Sequence, residues 1–228
     1  MILHPLRVGT VRATGGPVAA YLIRTGSGNV LVDTGYPAEL GGQADGPIRV
    51  AEGEDVVSRL AALGFAPADV AHVVCSHFDP DHAGNHGAFP DAEFWVQDGH
   101  YRVATSGTVP RIERFRKYWD LPELRYRRVT GDHTLLPGIE LIESGGHVPG
   151  HQSVLVRLPT RPVLLAVDAI PTAAALDPER RPVYPFDLDE AAVRAATARL
   201  VKLAESENAL IVHGHDPVQW ETLPATLS

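Results

Sequence analysis

Eight short apolar runs rich in β-branched residues recur along this chain, at residues 18–23, 30–32, 70–74, 93–96, 139–142, 153–158, 163–167 and 209–212. Each is bounded by Gly, Pro, Asp or Asn, as strands are. That spacing commits most of the core to β-structure. Two stretches between them carry helical periodicity instead. In 55–63, Val56, Val57, Leu60 and Leu63 share one face, and Gly64 can serve as the stop. In 189–205, Val193, Leu200 and Leu203 repeat at helical spacing, with Asp187, Asp189 and Glu190 as N-terminal caps and dipole-matched charge. The chain therefore reads as α/β.

The 228 residues, 44% of them hydrophobic, suit one domain over 1–228 that buries its core without crosslinks. The one cysteine, Cys75, excludes an internal disulfide and fits a reducing compartment. It reads as a small buried apolar residue. The N-terminus lacks the apolar core of a signal peptide, and no run approaches bilayer length, so a cytoplasmic chain with no membrane partner is expected.

The net charge of −8 argues against a nucleic-acid partner, since phosphate binding needs a basic face. The local exception is 111–128, which carries Arg111, Arg114, Arg116, Lys117, Arg125, Arg127 and Arg128. Residues 98–128 also hold Tyr101, Phe115, Tyr118, Trp119 and Tyr126, and read either as a helical insertion over a site or as a solvated helical face. GGQADG, 41–46, reads as a flexible loop.

The densest chemical signal is CSHFDPDHAGNH, residues 75–86, directly after the run 70–74. His77, Asp79, Asp81 and His82 place two imidazoles and two carboxylates within six residues. Pro80 stiffens the loop and Gly84 permits a turn. Imidazole with carboxylate suits zinc, iron or manganese better than calcium or magnesium. Further candidates each follow a strand: His147 in SGGHVPGH, Asp168 after VLLAV, and His215 in HGHDP. Loops at one edge of a sheet can meet there. A lone histidine is usually structural or exposed, which is the reading for His4, His72, His100 and His133. His86, His151 and His213 read as neighbours of a site or solvent-facing rather than as ligands.

This ordered set resembles the metallo-β-lactamase superfamily, whose usual pattern is His-x-His-x-Asp-His, then a His after a Gly-rich turn, then an Asp, then a His in a Gly-His pair. VLVDTG, residues 30–35, matches the family's early strand and turn, and the likeness spans roughly 18–216. The resemblance implies a four-layer αββα sandwich with metals at one edge. It implies two divalent ions, zinc foremost: His77, Asp79 and His147 around one, Asp81, His82 and His215 around the other, Asp168 bridging. Asp33 and His151 become supporting neighbours of the ligands, Asp33 accepting a hydrogen bond from a ligand His or from the metal loop.

GHVPGHQSVLV, residues 146–156, and the closing HGHDP are most similar to the N-acyl homoserine lactonase branch. The implied activity is hydrolysis of a lactone or related ester by a metal-bound hydroxide, with Asp81 shuttling a proton. The alternatives are a thioester or β-lactam hydrolase, an iron-dependent persulfide-type oxidoreductase, and a binding protein that kept only the fold. The expected partners are a small-molecule substrate and, as an assembly, a second copy in a homodimer. Two departures stand out. Asp79 replaces the second His of the motif, and its harder carboxylate moves preference toward iron or manganese. Pro171 occupies the position where those lactonases have a Tyr that polarises the substrate carbonyl.

Overall fold

The structure is a computed structural model describing residues 1–228. The first sheet contains β1 (Ile2–Val11), β2 (Pro17–Arg24), β3 (Asn29–Val32), β4 (Ile48–Arg49), β5 (Val70–Val74), β6 (Glu93–Gln97) and β7 (Arg125–Val129), in the order β4-β1-β2-β3-β5-β6-β7. The second contains β8 (His133–Leu136), β9 (Ile139–Glu143), β10 (Gln152–Val156), β11 (Val163–Val167) and β12 (Leu210–His213), in the order β12-β11-β10-β9-β8. Seven helices accompany them: α1 (Ala38–Gly41), α2 (Val56–Ala62), α3 (Pro80–Ala83), α4 (Asp98–Ser106), α5 (Pro110–Arg114), α6 (Glu190–Glu207) and α7 (Pro217–Thr222).

Strand side chains alternate between faces, and here both faces are covered. Along β2, Ala19, Tyr21 and Ile23 point inward with Val30, Val32 and Val74, meeting Leu141, Val154, Val156 and Leu165 of the second sheet. Val18, Ala20 and Leu22 point the other way and pack with Leu31, Val56 and Leu60, which seats α2 on the first sheet. On the far side, Leu155, Leu164 and Ala166 receive Leu200 and Ala204 of α6. Helix, sheet, sheet and helix make the four-layer αββα sandwich. The central strands are apolar without a polar alternation because each is buried twice.

The structure adds β4 and β8 to the strands read from sequence, and other features differ as well. β1 is a full ten-residue strand despite Pro5, because β4 covers it only at Thr10 and Val11 and leaves the edge free at Pro5. The segment 98–128 is helical through α4, α5 and a 3₁₀ turn at Arg116–Tyr118, but its end is β7, paired parallel with β6, so it is not helical throughout. β7 alternates poorly and is mostly exposed, and its arginines keep a sheet edge soluble. Gly84 is needed for close approach rather than for a turn. Its φ of −73° is open to any residue. An added Cβ there would lie 2.6 Å from the Gly35 carbonyl oxygen.

Leu200 is fully buried where α6 packs on the second sheet, among apolar neighbours. Leu200→Ala should destabilise the fold by roughly 2–5 kcal/mol. Denaturant unfolding checks this, and a loss well under 1 kcal/mol would mean α6 is not the covering layer.

Candidate metal centre

β3 and β5 run parallel in one sheet, and β11 and β12 run parallel in the other. β9 is two antiparallel steps from β11, so it shares that direction. Asp33 follows β3, the 77–82 loop follows β5, His147 follows β9, Asp168 follows β11, and His215 follows β12. Two of these exits are strained. Asp33 has φ +59° and Val167 φ +50°. A β-branched residue in the left-handed region persists only where its surroundings impose it. The β11–β12 register shifts between Leu165 and Val167, and Asp168 comes next. After β5, Pro80 is the first residue of α3, and this single turn carries Asp81 and His82.

The structure brings all the expected ligands together. His147 Nε2 lies 3.4 Å from Asp168 Oδ2, and His77 Nε2 lies 3.9 Å from the same oxygen. Asp79 Oδ2 stands 3.1 Å from His147 Nε2 and 3.5 Å from His77 Nε2. The other Asp168 oxygen, Oδ1, lies 3.4 Å from His82 Nε2 and 3.0 Å from His215 Nε2. Asp81 Oδ2 is 3.7 Å from His82 Nε2 and 3.8 Å from His215 Nε2. Donors around a tetrahedral ion at bonds near 2.1 Å sit about 3.4 Å apart. Asp168 therefore has one oxygen in each group, as a bridging ligand would.

The supporting bonds select one nitrogen on each ring. His82 Nδ1 donates to Asp33 Oδ2 at 2.8 Å, and His147 Nδ1 donates to Asp187 Oδ1 at 3.1 Å. His215 Nδ1 donates to the Pro17 carbonyl at 2.9 Å. His77 Nδ1 lies 3.0 Å from Ser76 Oγ, which in turn donates to Asp33 Oδ2. Asp33 Oδ1 accepts the Ser76 backbone N–H at 2.8 Å. Asp33 thus holds His82 directly and His77 through Ser76. Each ring is left with Nε2 facing the cluster. Nε2 of His77 and His82 and Oδ1 of Asp168 are buried with no hydrogen-bond partner. Unpartnered buried polar atoms at one point, on imidazoles whose other nitrogen is already committed, fit divalent metal ions.

Charge perturbations follow this geometry. Burial, reinforced by His82, pushes His77 down to about 3. At His147 burial also lowers the value, but Asp168, Asp187 and Asp79 outweigh it and raise the ring to about 9. Asp168 and Asp79 are held well below the usual carboxylate range, since the imidazoles overcome the burial that opposes ionisation. Without a metal, protons supply the compensating charge, and a cation must displace them to ligate.

Several contributors were not legible as such in the sequence. Asp187 read as a helix cap, but the cap of α6 is Asp189, which accepts from Ala192 N. Asp187 instead serves His147, and its Oδ2 lies 3.5 Å from the buried Arg181. His100 read as an isolated histidine. It is fully buried, donates from Nδ1 to the Pro149 carbonyl at 2.9 Å and accepts the Phe78 N–H at 2.8 Å, tying the 77–82 loop to the turn bearing His147. Arg111 of α5 contacts Asp79 through Nε. Only the run of arginines hinted at it. His151 packs 5.1 Å from the His77 ring, with Nδ1 on Ser144 Oγ at 2.9 Å. His86 and His213 are buried rather than solvent-facing, and His86 Nδ1 bonds Tyr126 at 2.9 Å.

A sequence profile of the metallo-beta-lactamase superfamily matches residues 13–215. The chain belongs to that superfamily. It is 33% identical over 212 residues to an N-acyl homoserine lactonase of Bacillus thuringiensis, covering 88% of this chain and 81% of that one. It is 37% identical over 227 residues to an N-acyl homoserine lactonase of Azorhizobium caulinodans, covering 90% and 83%. Among solved structures, an N-acyl homoserine lactone hydrolase with its product N-hexanoyl-L-homoserine at the catalytic metal centre superposes with a TM-score of 0.82 at 30% identity, over 98% of this chain and 96% of that one. In this member of the superfamily the motif's second histidine is Asp79, and its carboxylate still faces the donor cluster.

Asp33→Ala and Asp187→Ala should each lower metal affinity by roughly 10–100-fold, because the imidazoles they orient lose their partners. Competition with a chromophoric chelator measures this. Asp189→Ala, which removes only a helix cap, should cost about 1 kcal/mol of stability and leave metal affinity intact. Equal metal affinity in all three variants would show that these carboxylates do not position ligands.

Proposed function

We propose that this metal-dependent hydrolase of the metallo-β-lactamase superfamily opens the lactone ring of N-acyl homoserine lactones. The observation that carries the reading is Asp168, whose two oxygens face two separate donor groups. His77, Asp79 and His147 would hold one divalent ion, Asp81, His82 and His215 the other, with Asp168 between them. Bound there, the ions supply Lewis-acid polarisation of a carbonyl and an activated water at neutral pH. The imidazole-rich donor set favours zinc, while the Asp79 carboxylate widens the choice to iron or manganese. A reading with a single iron and persulfide chemistry leaves the second donor group, Asp81, His82 and His215, without a purpose.

The chain's own residues supply the rest. Asp81 is only partly buried and sits beside both His82 and His215, so it can accept a proton and pass it to the departing alkoxide. Pro171 offers no side-chain donor for the carbonyl. Its own carbonyl accepts the His215 backbone N–H at 2.8 Å, so it fixes the loop that presents this ligand. An acyl tail has a surface to rest on. Val183, Phe186 and Leu188 are exposed apolar residues, and the Phe186 ring lies 5.5 Å from the imidazole of His147. Leu188 N bonds the His147 carbonyl at 3.0 Å, which ties this strip to the metal ligand. Cys75 is fully buried, and its thiol is raised by burial, so it is no nucleophile. A lone buried thiol also supports a cytoplasmic location.

Chelation should abolish hydrolysis of N-acyl homoserine lactones, and added zinc, iron or manganese should restore it, while Cys75→Ala stays active. The assay is proton release or product mass on metal-defined protein, run against thioester and β-lactam controls. Hydrolysis surviving complete metal removal, or activity confined to the controls, would sink the reading.

Phe186→Ala should raise KM for a decanoyl substrate about fivefold, on the order of 1 kcal/mol of lost apolar contact, and change a butanoyl substrate much less. Equal effects on both would exclude the strip as the acyl-chain surface.

A further inference from the structure

Asp79 takes the place of an imidazole, and the fold gives it a cationic partner. Arg111 on α5 donates from Nε to both oxygens of Asp79, at 2.8 and 2.9 Å. The Arg111 side chain is 28% exposed and that of Asp79 8%. No other carboxylate lies within ion-pairing distance of this guanidinium, and its Nη2 is buried without a partner. On its other side Asp79 Oδ2 meets His147 Nε2 and His77 Nε2. One carboxylate therefore lies between a guanidinium and two donor nitrogens.

Two consequences follow from charge and geometry. Asp79, Asp81 and Asp168 give the centre three carboxylates where a neutral imidazole at 79 would leave two. Arg111 cancels the extra one at close range, in a site screened from solvent. It also occupies Oδ1 and shares Oδ2, so the carboxylate presents a single oxygen to the centre. Bidentate capture of an ion by Asp79 is disfavoured while Arg111 is in place.

We propose that Arg111 is a positioning residue of the metal centre, and that Asp79 and Arg111 together act as one net-neutral ligand unit in place of a neutral imidazole. The inference rests on the metal reading above, because Asp79 must face an ion. It assigns the helical segment 98–118 a part in the centre itself, since α5 supplies the compensating charge.

A double-variant cycle on the full chain tests it, with zinc as the probe. Zinc stoichiometry and affinity are measured by competition with a chromophoric chelator for the parent, Asp79→His, Arg111→Met and the double variant. Asp79→His alone should bind zinc at least about tenfold more weakly, because the new imidazole faces an unpaired guanidinium. The double variant should recover to within about threefold of the parent, the coupling expected of two residues acting as a unit. An Arg111 that merely props up the loop would weaken binding further in the double variant, which would overturn the proposal. Asp79→His binding as tightly as the parent would overturn it as well. A parent that binds no zinc, iron or manganese would instead defeat the metal reading, before any variant is compared. Should Asp79→His not fold, Asp79→Asn and Asp79→Asn/Arg111→Gln carry the same cycle, with the double variant again expected to bind more tightly than the single one.

Discussion

Like charges gathered out of water need a counter-charge, and that requirement organises this molecule. Asp79 and Asp168 are 6% exposed each, and their oxygens lie within 3.9 Å of the same imidazole nitrogens. Left uncompensated, such a cluster would oppose folding, because isolated buried charges are strongly disfavoured. Imidazolium protons can compensate it, and so can divalent ions. The fold is arranged for the second solution. Each ring has one nitrogen committed to a protein acceptor, and the other is turned toward the carboxylates.

The support extends outward in paired charges. Asp33 is 1% exposed and places Oδ2 on His82 and Oδ1 on the Ser76 N–H, so the negative charge needed to orient His82 also anchors the backbone that leads into its loop. Asp187 orients His147 and accepts the Tyr184 N–H at 2.9 Å. Behind it lies Arg181, 1% exposed, whose Nη1 donates to the Ala169 carbonyl and to Thr197 Oγ1, both at 2.6 Å. Burying an arginine this deeply is tolerable only with such a full set of acceptors. The arrangement links α6, the strand exit at Asp168 and the imidazole of His147 in one polar network, next to the apolar strip at 183–188.

Backbone geometry completes the centre. Val167 and Asp33 hold left-handed conformations that neither residue prefers, and both lie at the exits that deliver carboxylates. Gly146, beside His147, has φ +136°, and an added Cβ would clash with the backbone of Val193 in α6. The turn carrying His147 can therefore press directly against the helix. Strain and close approach recur where side chains must converge, while the interface between the two sheets behind them is apolar.

Much of this was legible in the chain itself. The central strands and both amphipathic helices are written as local periodicity, since burial on two faces demands continuous apolar runs and burial on one face demands helical spacing. The candidate donors were legible because each group follows a strand, and the short spacing within 77–82 puts four of them within six residues. Local sequence carries no comparable signal for contacts between distant segments. Arg111 meets Asp79 across 32 residues, His147 meets Asp187 across 40, and His215 meets the Pro17 carbonyl across 198. Asp187 read as a cap because its neighbours are those of a helix start, and only the packing of α6 against the second sheet carried it to an imidazole. β1 was hidden by Pro5 and Gly9 within its run, and β7 because an edge strand needs no apolar alternation once one neighbour supplies its hydrogen bonds. The residue types and their order along the chain determined what chemistry could assemble. The tertiary structure decided which nitrogen of each ring was left free and which cation stood beside Asp79, because hydrogen-bond partners and counter-charges are set by distance in space and not by separation along the chain.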